Sequence, residues 1–231
     1  MRALQNSDLL GLWEDGRRRH PIDRAILVLA VAEAGKAMAD WPLGRLNRAL
    51  IELHCVSFGR SFKGWLACPG CCETLEFQLD GLALANSGFA RDVDSIVVNG
   101  NAFRLPTSKH LASIAIETSP ERAAIRLLES LSVEPCDAES WSEDAMEEIG
   151  EELAKADPLA ETRVSYHCPL CGATGEETLD IVSFLWAEIQ SKAKRLFAEI
   201  HVLASTYGWT EREVLALGEE RRAIYLEMAR S

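Results

Sequence analysis

Two short runs, Cys68-Pro69-Gly70-Cys71 and Cys168-Pro169-Leu170-Cys171, carry the residue types best suited to chemistry in this chain. A Cys-x-x-Cys knuckle turns the backbone so that both sulfurs point to one side, and amide N–H groups in the turn help carry the thiolate charge. Two knuckles supply the tetrahedron of sulfurs that zinc binds at about 2.3 Å. Both runs are preceded and followed by alternating, strand-like sequence. The expectation is one closed, structural Zn2+ held by Cys68, Cys71, Cys168 and Cys171. A catalytic zinc normally keeps one position open and uses histidine or carboxylate ligands, and four cysteines leave none open.

The surrounding residues leave alternatives. Glycine commonly follows the second cysteine of a knuckle, where the chain tends toward positive φ. Gly172 obeys this, whereas Cys72 takes that place in the first knuckle. Cys72 is then a spare thiol or a substitute for Cys71 as ligand. His167 is a ligand by type, but as the neighbour of Cys168 it points the other way along its strand and reads as a surface residue. A redox pair would sit at a helix N-terminus, which lowers a thiol pKa. "CETLEFQLD" and "GATGEETLD" follow the two knuckles, and neither opens a helix. Cys55 reads as a small buried hydrophobe on an apolar helix face, and Cys136 has no evident partner. The chain has no HExxH, no GxSxG and no glycine-rich phosphate loop, and its five histidines are scattered. No enzyme is expected.

Positioning these knuckles requires a mostly helical α+β chain. "DLLGLWEDG" is amphipathic up to Gly16, and "PIDRAILVLAVAEAG" runs from a helix-starting Pro21 to Gly35. In "PLGRLNRALIELHCVSFG", Leu43, Leu46, Leu50, Leu53 and Val56 recur at helical spacing up to Gly59. The period then changes to strand, knuckle, strand, with Leu75, Phe77 and Leu79 on one face. "DSIVVNGNAFRLP" is a hairpin around Asn99-Gly100. Helical pattern returns from Thr107 to Asp157, with Ser119-Pro120-Glu121 as one helix start and Pro158 as the stop. A second strand, knuckle, strand follows, then a helix of about 25 residues ending at Gly208. Thr210 and Glu213 form a capping box before the last segments. The reading is an N-terminal helical region at 1–59 and a split zinc ribbon at 60–182. The ribbon carries a hairpin and helical insert at about 92–161, and a helical C-terminal tail occupies 183–231.

The net charge of −12 is concentrated in one segment. Residues 129–161 hold twelve carboxylates against the single Lys155. Phosphate binding needs clustered Lys and Arg, so nucleic acid is not an expected partner. The acidic stretch reads as a solvated helix face, with a docking surface for a basic partner as the sharper alternative. No apolar run approaches the roughly 18 residues of a membrane helix. With no secretory signal pattern at the N-terminus, the expected compartment is the cytoplasm.

Several stretches carry a resemblance. "LLGLWEDG…DRAILVLAVA", "PLGRLNRALIELHCVSFG", "FRLPTSKHLASIA", "AAIRLLESL" and "FLWAEIQSKAKRLFAEIHVLASTYGWTEREVLALGEERRAIYLEMA" occur in this order. They resemble a family encoded with contractile phage tails and extracellular contractile injection systems. That family is described as a baseplate protein or T-even-type baseplate hub assembly chaperone. The resemblance covers nearly the whole chain, and "EIHVLASTYGW…EVLAL…RRAIYLE" is its most specific part. It implies a non-catalytic protein that helps assemble the baseplate or forms part of it, with baseplate or hub/spike proteins as partners. It is then cytoplasmic or incorporated into the particle. Trp186, Phe197, Ile200, Leu203, Tyr207, Trp209, Leu215, Leu217 and Tyr225 offer an apolar stripe to such a partner. For any one of them, packing into the chain's own core is the better expectation. The runner-up is a zinc-ribbon nucleic-acid-binding or regulatory protein, for which the sequence offers only Arg60, Lys63 and Trp65 near a knuckle. A thiol enzyme using Cys71 or Cys72 is the third reading.

Overall fold

The computed structural model describes residues 1–33, 36–87, 93 and 95–230 of the 231-residue chain. It is a mixed α+β fold in which helices predominate and the strands among these residues form three separate antiparallel hairpins. The chain opens with α1 (Asn6–Gly16), α2 (Pro21–Ala32) and α3 (Leu43–Phe58). Pro21 occupies the first turn of α2, where its missing N–H has no partner to lose. The expected stop at Gly35 lies outside the described residues, and α2 ends at Ala32 with Glu33 N–H donating to the Leu29 carbonyl.

Helix α3 has an unusual start. Its N-cap residue is Pro42, whose side chain has no acceptor to offer the orphan N–H groups of the first turn. Asp157, far away in sequence, fills that role: Gly44 N–H donates to Asp157 Oδ2 at 2.8 Å. Next to it, Asn47 Nδ2 donates to the Leu159 carbonyl at 2.8 Å. Asp157 was grouped with the solvated carboxylates of the acidic stretch. The others on its helix are exposed, but Asp157 is buried, and burial raises its pKa while the Gly44 N–H pulls it back down.

Strands β1 (Ser61–Ala67) and β2 (Thr74–Asp80) flank the first knuckle in the expected places. A helix that the sequence reading did not contain follows at once, α4 (Gly81–Ser87), capped by Asp80 Oδ1, which accepts from Ala83 N–H at 2.9 Å. The insert comprises β3 (Ser95–Val98), β4 (Asn101–Arg104), α5 (Ser108–Ile114), α6 (Pro120–Leu131) and α7 (Glu143–Ala156). Asn99 and Gly100 both take positive φ, 50° and 80°, as a tight primed turn requires. Val98, Phe103, Leu128, Leu131, Ile149 and Leu153 close a second, smaller core beneath this hairpin and α6–α7. Strands β5 (Arg163–His167) and β6 (Thr174–Thr178) flank the second knuckle. Helix α8 (Ile181–Tyr207) ends at Gly208 in the left-handed conformation, φ 69°. The Thr210–Glu213 capping box opens α9 (Glu211–Ala216), and α10 (Glu219–Arg230) completes the chain.

The main core joins the two ends of the sequence. Leu9, Leu12, Leu29, Leu50 and Leu53 of α1–α3 pack with Leu185, Trp186, Ile189 and Leu196 of α8. Trp186 and Leu203 are therefore core residues, while Tyr207, Trp209 and Tyr225 form a partly exposed aromatic cluster of their own. The fully buried Arg222 pins α10 to α8, donating from Nε to Glu199 Oε2 at 2.9 Å and from Nη1 to the Leu217 carbonyl at 2.8 Å. His54 is buried in an aromatic cage with Phe58, Phe62 and Phe184. Burial lowers its pKa, partly offset by a backbone hydrogen bond involving Gly59.

Two outcomes follow. Asp157→Ala leaves the start of α3 uncapped and should lower stability by about 1–3 kcal/mol in denaturant unfolding, with Asp157→Asn losing less. His54 stays neutral in the fold at a pH where the unfolded chain, with its ordinary pKa of 6.5, takes a proton. Its contribution is complete above pH 6.5 and is lost as pH falls below it. His54→Phe should therefore flatten the loss of stability below that pH by up to one proton, about 1.4 kcal/mol per pH unit.

Candidate metal centre

Each knuckle is built the same way. Cys68 N–H donates to the Glu73 carbonyl and Cys72 N–H to the Cys68 carbonyl, both at 2.8 Å. In the second knuckle Cys168 N–H donates to the Ala173 carbonyl at 2.8 Å, and Gly172 N–H to the Cys168 carbonyl at 3.0 Å. The hairpin ladders end on these bonds, so the strand register fixes where each sulfur points. The residue after the second cysteine has positive φ in both knuckles, 60° at Cys72 and 75° at Gly172. Cys72 thus occupies the conformation that glycine normally supplies.

The structure brings together the four expected cysteines. The sulfurs of Cys68, Cys71, Cys168 and Cys171 all lie within 4.8 Å of one another. Across the two knuckles, Cys68 Sγ lies 3.6 Å from Cys171 Sγ and Cys71 Sγ 3.6 Å from Cys168 Sγ. A disulfide would need about 2.05 Å. The edge of a tetrahedron with metal–sulfur bonds of about 2.3 Å is about 3.8 Å. Cys68 and Cys168 are buried, Cys71 is half-buried, and Cys171 lies at the surface.

Electrostatics within the cluster point the same way. The N–H groups of Cys171 and, more weakly, Leu170 hold the Cys168 thiol down at about 7. At Cys71 the Glu73 N–H also favours the thiolate, but burial and the three neighbouring sulfurs outweigh it and push the thiol up to about 12. Ala173 N–H plays the matching part at Cys171, whose thiol is likewise raised by the sulfurs of Cys68 and Cys168. Backbone donors are in place for thiolates, yet four negative sulfurs this close repel one another. A divalent cation at their centre removes that repulsion, so the donor set fits a metal ion.

The other candidates fall outside this cluster. Cys72 is exposed and is not among the clustered sulfurs, and His167 is exposed on its strand. Cys55 packs against the main core, where burial raises its thiol pKa. His20 and His110 take part in helix capping, His54 is in the core and His201 is exposed. Beside the knuckles, β1 and β6 border a groove of about 540 Å³ that also reaches Phe77, Phe184 and Glu188. The sequence reading did not foresee this groove, whose faint signal was the exposed Lys63 and Trp65 alternating along β1.

No family model matches the chain, and no curated protein or solved structure matches it either.

Cys168→Ser removes a fully buried sulfur from the cluster and should destabilise the protein by several kcal/mol, because metal binding and folding are coupled. Cys72→Ser should change stability by less than about 0.5 kcal/mol. Cys72→Gly should raise it by up to about 1 kcal/mol by relieving the positive φ. Thermal unfolding of the three variants beside the parent protein measures all three effects.

Proposed function

We propose that this chain is a zinc-clamped, non-catalytic protein-interaction module acting in assembly of the baseplate hub of a contractile injection system or phage-like tail. The observation that carries the zinc assignment is the all-cysteine donor set gathered from two knuckles. Thiolates select soft ions, and a closed tetrahedron of four is the usual structural zinc set. Such a site has no position for a substrate, so the ion acts on folding rather than on a reaction. It ties two hairpins, whose knuckle cysteines Cys71 and Cys168 are 97 positions apart in sequence, into one unit.

The reading as an interaction module draws on what the surface displays. Trp65 is 72% exposed, Leu170 at the knuckle tip 69%, and Ile224 and Met228 on α10 lie in solvent. The assignment to a baseplate rests on the sequence resemblance carried by residues 9–16, 23–32, 42–59, 103–115, 123–131 and 184–229. A nucleic-acid role would draw on Arg60 and Lys63, but Arg60 is ion-paired with Asp80 at 2.9 Å and Lys63 shares its groove with Glu177 and Glu188. That arrangement repels phosphate.

Elemental analysis of the purified protein should give about one zinc per chain, and cobalt substitution should give the absorption of a tetrahedral thiolate site. A stable, metal-free native preparation would sink the zinc assignment. For the cellular role, mass spectrometry of purified injection particles and of a tagged pull-down from host lysate should both recover baseplate or hub subunits. Finding the protein in particles marks a permanent component. Finding it only with hub subunits in lysate marks an assembly chaperone, and no tail protein in either sample overturns the baseplate reading.

A further inference from the structure

One wall of the groove beside the knuckles is a strand edge. Five consecutive β1 residues, Lys63 to Ala67, line it, as an edge does and a single sheet face does not. The pairing register shows which backbone groups point into it. Arg60 accepts from Gly81 N–H, and Cys68 N–H donates to Glu73, so positions 60 and 68 belong to hydrogen-bonded cross-strand pairs. These pairs alternate along an antiparallel ladder. Even-numbered β1 residues therefore bond to β2, and Lys63, Trp65 and Ala67 turn their N–H and C=O outward. None of these groups has a backbone partner among the described residues.

The opposite wall is mixed, made by Val164 of β5, Glu177 and Thr178 of β6 and the first turns of α8. On the second hairpin Leu179 N–H donates to Thr162 and Cys168 N–H to Ala173. By the same alternation, Thr178 turns its backbone away from β5, and Thr178 lines the groove. Although the knuckles are tied together, β1 and β6 do not pair, and each hairpin remains a two-stranded sheet. The space between them, about 540 Å³, is within the range of ligand-binding clefts. Unpaired edges of this kind are templates for strand addition.

Charge and side chains narrow the occupant. Glu177, Asp180 and Glu188 line the groove, and among the described residues Lys63 is the only base that does. Trp65 stands 72% exposed beside the open edge, a flat surface for an apolar or cationic side chain.

We infer that this groove is a strand-addition site for an extended, basic segment of a partner protein, which pairs with the β1 edge through Lys63, Trp65 and Ala67. The inference rests on the reading of the chain as an interaction module, but not on which machine it serves. Loss of every tail protein from the pull-down, with peptide binding intact, removes the machine and leaves the groove standing.

The test is selection of a displayed library of random linear 12-residue peptides on the full-length protein carrying its metal. The expected peptides carry Lys or Arg alternating with apolar residues, and they protect the amides of Lys63, Trp65 and Ala67 from hydrogen exchange. N-methylation of alternate backbone amides in a selected peptide keeps its charge and should weaken binding at least tenfold. Lys63→Pro, which removes one outward N–H and no β1–β2 bond, should do the same, and Trp65→Ala serves as a second, milder variant. The inference is overturned by an absence of enriched peptides, by equal binding of the N-methylated form, or by protection outside β1. It is equally overturned if a concentration-dependent dimer protects the same amides, which assigns the edge to a second copy.

Discussion

The structure depends on one non-local constraint, the meeting of four sulfurs from two knuckles. Cys68 and Cys171 are separated by 103 positions. Closing a loop of that length opposes folding by an entropic term of about 4–5 kcal/mol. The apolar contacts around the cluster are modest: Leu75 is buried, while Leu66, Tyr166 and Ala173 are only partly so. Burying a leucine contributes about 2 kcal/mol, so this small cluster cannot offset the closure alone. Metal coordination can, since structural zinc sites contribute about 10 kcal/mol or more.

The clamp works with a second long-range tie. Asp157 and the adjoining carbonyls of Leu159 and Ala160 bind the first turn of α3, just before the chain enters β5. A side chain at Gly44 would come within 1.8 Å of Asp157 Oδ1, so the close approach requires the glycine. The insert is thereby anchored at its exit to the helical core. Within the insert, between β4 and α5, the Pro106 carbonyl accepts from Leu43 N–H at 2.9 Å, beside the Pro42–Thr107 bridge. A segment with its own small core is thus tied to the start of α3 at two places, while α8 completes the main core from the far end of the sequence.

What could be read in the sequence was local. The Cys-x-x-Cys runs, Asn99-Gly100, the Thr210–Glu213 box and Gly208 each announce a backbone geometry within a few residues, and each is found in place. Pairing the knuckles across the insert was also legible, because each pair of sulfurs is half of a tetrahedron. The acceptor for α3 was not, because Pro42 hides the need for a cap and Asp157 looks like its acidic neighbours. Helix α4 was missed because Asp80 both ends a strand and caps a helix, and the strand pattern masks the cap. Lys63 and Trp65 suggested a face for nucleic acid, and only the folded arrangement puts Glu177 and Glu188 opposite them.

The clamp also accounts for the open strand edges. Two hairpins side by side with unpaired edges would ordinarily pair with each other or be covered. Here the sulfurs fix the hairpin tips at a tetrahedral separation, while Phe62 of β1 packs on His54 and Phe184 in the main core. Held at the tips by the cysteines and at the base by the core, β1 and β6 cannot close on one another. The groove is thus a consequence of the same cluster that stabilises the fold. Its shape follows from both anchors together, the cysteine cluster at the tips and the packing of Phe62 on Phe184 at the base.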